Sequence, residues 1–276
     1  MPPDGPTGHG CDMAVFSGKF ARAVFIVSSG RTGTMALARH LDACYEQVWA
    51  AHEPRPSWRL RRASSRALCG RLSREELARL LADNRRRLVA GIGAVYYIES
   101  NPFLGGFLDV FGDVFENAAV VHVVRDPRTY IRSGMNFGTF RGIKGLAVRL
   151  IPWWLPRPEL MPGSGGLRWS EMSPPVRLAW YWAMLNRHLN RGQTLYGDNY
   201  LRIRFEELFA RDGSGLKQLA AWIGLPWDER LVQCANSEKV NASRDAGFPR
   251  FADWSDSLKR QVMDHCGELM ELYGYN

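Results

Sequence analysis

Three short stretches of this 276-residue chain carry side chains suited to holding and moving an anionic group. The first is Ser28-Ser29-Gly30-Arg31-Thr32-Gly33-Thr34. Glycines at this spacing let the backbone curl until successive N–H groups point inward, which makes an anion-binding concavity. Thr32 and Thr34 add hydroxyl donors, and Arg31 adds a charged fork for an oxyanion. The nucleotide pattern GxxxxGK[ST] requires a Lys that this loop lacks, which disfavours ATP or GTP hydrolysis. The bland alternative is an ordinary glycine-containing turn. The second stretch pairs Arg125 with Ser133, eight residues on. Arg125 suits a second phosphate held bidentately, with Ser133 donating a hydroxyl; its bland alternative is an ion pair at a strand end. Arg128 and Arg132 differ from Ser133 in helical phase and are expected on a solvated face.

The third set consists of proton acceptors: His52 and Glu53 in HEPRP, and Glu99 in YYIES. Any of these can take a proton from an attacking hydroxyl or amine. Each also has a structural alternative: His52 as a loop hydrogen-bonder, Glu99 as the partner of a nearby Arg. His122 lies mid-strand and is expected to be a satisfied core histidine. His40, His188 and His265 stand alone, without metal-ligand spacing, so no metal is expected.

These groups need elements to position them. Ala23–Ser28 is an apolar run of buried-strand length that enters the glycine loop, and Met35–Leu41 then reads as helix. Strand, glycine loop and helix together form the first unit of an α/β domain. Val48–Ala51 reads as a short strand, closed by the prolines of HEPRP. Ser73–Val89 reads as a helix: Ser73 and Glu76 have capping-box spacing, Leu77, Leu80, Leu81 and Leu88 share one face, and Arg85–Arg87 suit the negative end of its dipole. Ala94–Glu99 and Ala118–Arg125 read as strands, the latter apolar throughout as a central parallel strand should be. Asp126 and Pro127 then open a helix that runs to about Phe137. Val176–Arg191 reads as helix, Tyr200–Phe205 as strand and Leu216–Ile223 as helix. A last helix is capped by Ser255, buries Leu258, Val262, Cys266, Leu269, Met270 and Tyr273, and stops at Gly274.

The alternation implies an α/β fold, with a mainly parallel central sheet flanked by helices. Residues 1–20 are Gly/Pro-rich and expected to fray. Residues 21–276 are expected to form one domain, with an insertion or lid at about 139–175, where Trp153, Trp154 and Trp169 sit among Gly, Pro and Arg. That segment can line an acceptor groove, touch a lipid surface or act as packed cover.

Composition narrows the class. Apolar residues make up 46% and charged residues 23%, which excludes disorder, collagen-like repeats and a small disulfide scaffold. Lys and Arg number 36 against 28 Asp and Glu, so the formal charge is +8 and an anionic ligand or surface is favoured. Five scattered cysteines with no CxxC pair read as structural thiols in a reducing compartment. The first residues carry no basic segment leading into an apolar core, and no stretch reaches membrane-spanning length. A cytoplasmic protein without a transmembrane segment is expected.

VSSGRTGT followed by VVRDPRTYIRSGMNF resembles the two cofactor-binding motifs of the sulfotransferase family that uses 3′-phosphoadenosine 5′-phosphosulfate (PAPS). YLRIRFEEL, IGLPWD and the tail from FPRFADW to ELYGY resemble its bacterial members, so the likeness spans roughly residues 22–274. The resemblance implies a P-loop-like sulfotransferase fold and sulfuryl transfer from PAPS to a hydroxyl or amine, leaving 3′-phosphoadenosine 5′-phosphate (PAP). It implies that Ser29, Gly30, Arg31, Thr32, Gly33 and Thr34 cradle the 5′-phosphosulfate while Arg125 and Ser133 hold the 3′-phosphate. Members commonly carry Lys at the position of Arg31; Arg keeps the charge and changes its reach. Some branches place a catalytic His where this chain has Glu99-Ser100-Asn101. Carbohydrate and tyrosyl branches instead place a Glu soon after the first helix, which corresponds to Glu53. The base is therefore expected to be Glu53, with His52 and Glu99 as alternatives. Late in the chain, Lys239 and Arg244, with Arg250, either close over the nucleotide or form a solvated connection. Sugar, lipid, peptide tyrosine and natural-product phenol all remain open as acceptors, and nucleic acid is not expected as a partner. Two rivals stand beside this reading: a P-loop-type small-molecule kinase, and a non-enzymatic basic binder of nucleic acid or a membrane surface.

Overall fold

The structure is a computed structural model that describes residues 14–151, 153–237 and 247–275. Strands β1 (Arg22–Val27), β2 (Val48–His52), β3 (Tyr96–Ser100), β4 (Ala118–Val124) and β5 (Tyr200–Arg204) form one all-parallel sheet in the order β2-β3-β1-β4-β5. Alternation along β1 explains the layers. Ala23, Phe25 and Val27 point into one core, Val24 and Ile26 into the other. β4 is apolar because both of its faces are covered.

On one face lie α1 (Thr34–Cys44), α10 (Ser214–Ile223) and α11 (Arg230–Ser237). The other core takes side chains from α2 (Trp58–Leu68), α3 (Arg74–Ala90), the short α4 (Phe111–Val114), α5 (Pro127–Asn136), α6 (Gly142–Leu150), α7 (Pro174–Asn190) and α12 (Asp256–Tyr273). Two short helices, α8 (Gly192–Tyr196) and α9 (Phe205–Leu208), flank β5. The sequence-derived caps are in place. Ser73 and Glu76 form a capping box on α3, the Asp126 carboxylate accepts from Arg128 N–H on α5, and Ser255 caps α12 before Gly274 at φ +72°.

Among the elements that escape the sequence pattern, three have a clear physical reason. α2 carries four arginines and buries mostly small residues, Ala63, Ser64 and Ser65 beside Leu60. A 3-10 segment, Pro102–Val110, packs against it where Gly106 approaches Ser64; a Cβ there would lie 2.5 Å from the Ser64 carbonyl oxygen. α6 lies in the 139–175 stretch and buries only Val148, so it has no buried apolar face to mark it as a core helix.

Two expectations for α3 are corrected. Leu80 is exposed, off the buried stripe of Leu77 and Leu81. Arg85 is no cation at a helix end: it is fully buried and pairs with Glu99 of β3 through Nε–H to Oε2 at 2.8 Å and Nη2–H to Oε1 at 2.5 Å. Tyr97 Oη donates to Glu99 Oε2 and Asn101 Nδ2 to Oε1, so every acceptor site of the carboxylate faces a donor. His122 is a satisfied core histidine. Tyr200 Oη donates to Nδ1 at 2.7 Å and Nε2–H donates to Asn186 Oδ1 at 2.7 Å. Burial pushes its pKa down to about 3.

Losing one partner of a buried pair strands the other. Arg85→Met is expected to cost about 3–5 kcal/mol in urea unfolding, whereas Arg74→Met, which breaks the exposed Arg74–Asp113 pair, costs under about 1 kcal/mol. Equal losses would refute the assignment of Arg85 to the core. For His122, the unfolded state binds a proton below about pH 6.5 while the folded state stays neutral down to about pH 3. Stability is therefore full above pH 6.5 and falls as pH drops toward 3, by up to about 5 kcal/mol. Thermal melts of the wild type and His122→Asn between pH 7 and 4 check this: the variant should show the shallower slope.

Candidate active site

The sheet register brings the candidate groups to one edge. His52 pairs with Ser100, Ser100 with Ile26, and Val27 with His122. Glu53, Ser28 and Arg125 therefore emerge at the carboxyl ends of neighbouring strands, where ligands of open α/β sheets bind.

The β1–α1 loop is curled by its own hydrogen bonds. Ser28 Oγ accepts from Gly30 N–H at 3.1 Å and from Thr32 Oγ1 at 2.8 Å. Gly30, Arg31 and Gly33 all have positive φ, at 89°, 59° and 67°. Gly33 caps α1 without a side chain, so the first N–H groups of that helix face the loop unclaimed by a capping oxygen. Ser29 Oγ is buried and has no hydrogen-bond partner. A stranded hydroxyl of this kind costs about 1–3 kcal/mol, and an anion in the loop would satisfy it.

The two cationic motifs meet here. Arg31 Nε–H donates to Ser133 Oγ at 3.2 Å, and the Arg31 guanidinium lies 4.3 Å over the Phe137 ring. Arg125 donates from Nη1 to the Arg31 carbonyl and from Nε to Thr129 Oγ1, and stacks 4.5 Å over Phe205. Trp182 Nε1–H holds the Arg125 carbonyl at 3.0 Å. Burial lowers both guanidinium pKa values; at Arg125 the Glu206 carboxylate works against this and the Arg31 charge adds to it. Among the described residues neither has a carboxylate within 4.0 Å. A pair of half-desolvated cations without a counter-ion is a site prepared for an anion.

Beside them, His52 bridges Ser100 and Glu53: Nδ1 lies 3.0 Å from Ser100 Oγ and Nε2 3.4 Å from Glu53 Oε1. Glu53 sits at φ +48° and donates its N–H to the Ser100 carbonyl. Arg31 and Glu53 are the two non-glycine residues with positive φ among the described residues. Left-handed backbone at such residues costs about 1–3 kcal/mol and concentrates where function demands a fixed side chain.

A cavity of about 460 Å³ joins these parts. It is lined by the loop from Gly30 to Met35 with His52 and Glu53, and by Arg61, Phe103, Lys144 and Trp154. A larger hollow of about 780 Å³ between α2 and α3 contains none of these groups. Arg125 and Ser133 do not line the 460 Å³ cavity and reach it through Arg31.

Glu99 is removed from the candidate bases. It is fully buried, its oxygens are saturated by Arg85, Tyr97 and Asn101, and it does not line the cavity. Arg128 and Arg132 are half-buried rather than solvated: Arg128 pairs with Asp126 at 2.8 Å, and Arg132 donates to the Phe248 carbonyl. Lys239 and Arg244 lie outside the described residues, and Arg250 is exposed.

Sequence reasoning missed Arg61 and Lys144. Arg61 donates twice to the Trp154 carbonyl and lies 3.6 Å over the Trp154 ring and 4.4 Å over Phe103. Burial pushes its pKa down to about 10. No local signal separates it from the other arginines of α2. Lys144 stands 3.3 Å over Phe137, the same ring that carries Arg31 on its face. Among the described residues no group of three or more His, Cys, Asp or Glu is placed to hold a metal ion, and no helix is long and apolar enough to cross a membrane.

No family model matches the sequence, and no curated protein matches it. Solved structures do. The sulfotransferase from Alicyclobacillus acidocaldarius aligns over 92% of this chain and 96% of its own, with TM-score 0.53 and 16% identity. The sulfotransferase domain of the Synechococcus PCC 7002 olefin synthase aligns over 94% and 97%, at 0.52 and 17%. That of the curacin biosynthetic pathway aligns over 91% and 98%, at 0.51 and 14%. With its five parallel strands and flanking helices, this chain has the sulfotransferase fold.

Proposed function

We propose that the chain is an enzyme that transfers a sulfuryl group from PAPS to a hydroxyl or amine. The observation that carries this reading is the linkage of two anion-binding motifs, Arg31 to Ser133 and Arg125 to the Arg31 carbonyl, at one rim beside Glu53. PAPS fits the residues present. Ser29 Oγ, the curled loop and the open end of α1 suit its 5′-phosphosulfate, and Arg125 with Ser133 suits its 3′-phosphate. The donor supplies a sulfuryl group on a phosphate leaving group, so that S–O cleavage leaves PAP.

Each residue then has a defined task. The loop N–H groups, that of Thr32 among them, with the Thr34 hydroxyl and Arg31 hold the oxyanions in fixed positions and offset charge on the bridging and equatorial oxygens, while the Thr32 hydroxyl keeps the loop curled on Ser28. Glu53 accepts the proton of the acceptor as its oxygen or nitrogen bonds to sulfur. His52, hydrogen-bonded to Ser100 Oγ through Nδ1, holds Nε2 3.4 Å from Glu53 Oε1 and so fixes the side of the cavity on which the carboxylate stands. Arg61 and Lys144 line the same cavity and keep the field positive where the donor sits.

Two measurements test this reading. PAP is expected to raise the thermal midpoint strongly while ATP with magnesium does not; the reverse would favour a kinase. Glu53→Gln is expected to keep the PAP shift and to lose about 10²–10⁴-fold in turnover, assayed as a mass gain of one sulfuryl group on an acceptor. Undiminished turnover would move the base to His52.

A further inference from the structure

α6 turns its apolar residues outward. Ile143 is 87% exposed, Leu146 54% and Leu150 65%, while Val148 alone is buried. The three recur at helical spacing on one stripe, and Arg141, Lys144 and Arg149 surround them. The chain leaving α6 runs directly to Trp153 and Trp154, which pack against α2. Arg61 of α2 donates to the Trp154 carbonyl, and Trp153 shares a hollow of about 220 Å³ with Arg62 and Arg66. α2 itself presents Arg59, Arg62 and Arg66 to solvent, and begins at Trp58, 57% exposed. The Arg61–Trp154 contact thus ties the segment that follows the apolar stripe of α6 to the arginine-bearing α2. The same two helices put Lys144 and Arg61 into the wall of the cavity that holds Glu53.

From this arrangement we infer that α6 and the exposed face of α2 dock on an anionic bilayer surface, with Ile143, Leu146 and Leu150 entering the acyl boundary and Arg59, Arg62 and Arg66 meeting lipid headgroups. Charge complementarity selects this occupant. A helix with a projecting apolar stripe and a basic surround lies in a membrane interface, and clustered arginines are drawn to anionic leaflets. Because α2 and α6 each contribute a residue to the lining of the cavity, docking through them brings that cavity close to the lipid. If the sulfuryl-transfer reading holds, and this extension rests on it, the acceptor is an amphiphile that presents its hydroxyl or amine from the membrane.

Co-sedimentation of the full chain with vesicles tests the docking. Vesicles of phosphatidylcholine with about one third phosphatidylglycerol are expected to bind the wild type, and pure phosphatidylcholine to bind it weakly. The triple variant Ile143→Ser, Leu146→Ser, Leu150→Ser should lose at least about tenfold in partitioning. Arg59→Gln, Arg62→Gln, Arg66→Gln should lose the preference for anionic lipid and the salt dependence. The PAP-induced thermal shift, measured alongside, should be unchanged in both variants and shows that each is folded. Failure of the wild type to bind, or equal partitioning by the serine variant, overturns the docking. A dimer that the serine variant dissolves assigns the stripe to a second copy of the chain and also overturns it. Absence of the PAP shift in the wild type would remove only the acceptor assignment.

Discussion

The site depends on two half-buried cations held side by side with no carboxylate among the described residues paired to either. Arg31 and Arg125 are each partly stripped of water, and at Arg125 the charge of Arg31 opposes the support it draws from Glu206 and Asp126. Neutral contacts keep them in place: aromatic rings beneath each guanidinium, the Arg31 carbonyl, and the Ser133 and Thr129 hydroxyls. Such contacts orient a guanidinium and leave its charge uncompensated. The arrangement is therefore incomplete until an anion enters, and a doubly phosphorylated nucleotide supplies charge at both ends.

The scaffold explains how so unfavourable a grouping persists. β1 lies between β3 and β4 at the centre of a parallel sheet covered on both faces, so its exit into the glycine loop is fixed from either side. The strand beside it is pinned below the site by the Arg85–Glu99 pair, and the next residue, Ser100, is the one that holds His52 and the Glu53 N–H. Rigid support of this kind is what lets Arg31 and Glu53 occupy left-handed backbone. Core packing and site geometry are linked through adjacent residues of β3.

Much of this was legible from residues alone. The parallel sheet, the β1 loop and the caps of α3, α5 and α12 follow from apolar runs, glycine spacing and capping residues, all of them local signals. Glu99 shows where that logic stops. Its type and its place at a strand end suit a base equally well, and only the turn of α3 that buries Arg85 decides its role. Arg61 and Lys144 were hidden for the opposite reason. They belong to helices whose buried faces are small or nearly absent, so no buried stripe pointed to their inward positions. The tertiary fold, which sequence periodicity does not encode, chose them from a crowd of similar cations.

The central claim is that both motifs grip one ligand. Calorimetric titration with PAP and with adenosine 5′-phosphate, on the wild type and on Ser133→Ala, addresses it most directly. The account predicts that PAP binds about 10–100-fold more tightly than the singly phosphorylated nucleotide, and that Ser133→Ala narrows this gap without weakening the smaller ligand. Equal affinities for the two nucleotides in the wild type would contradict it.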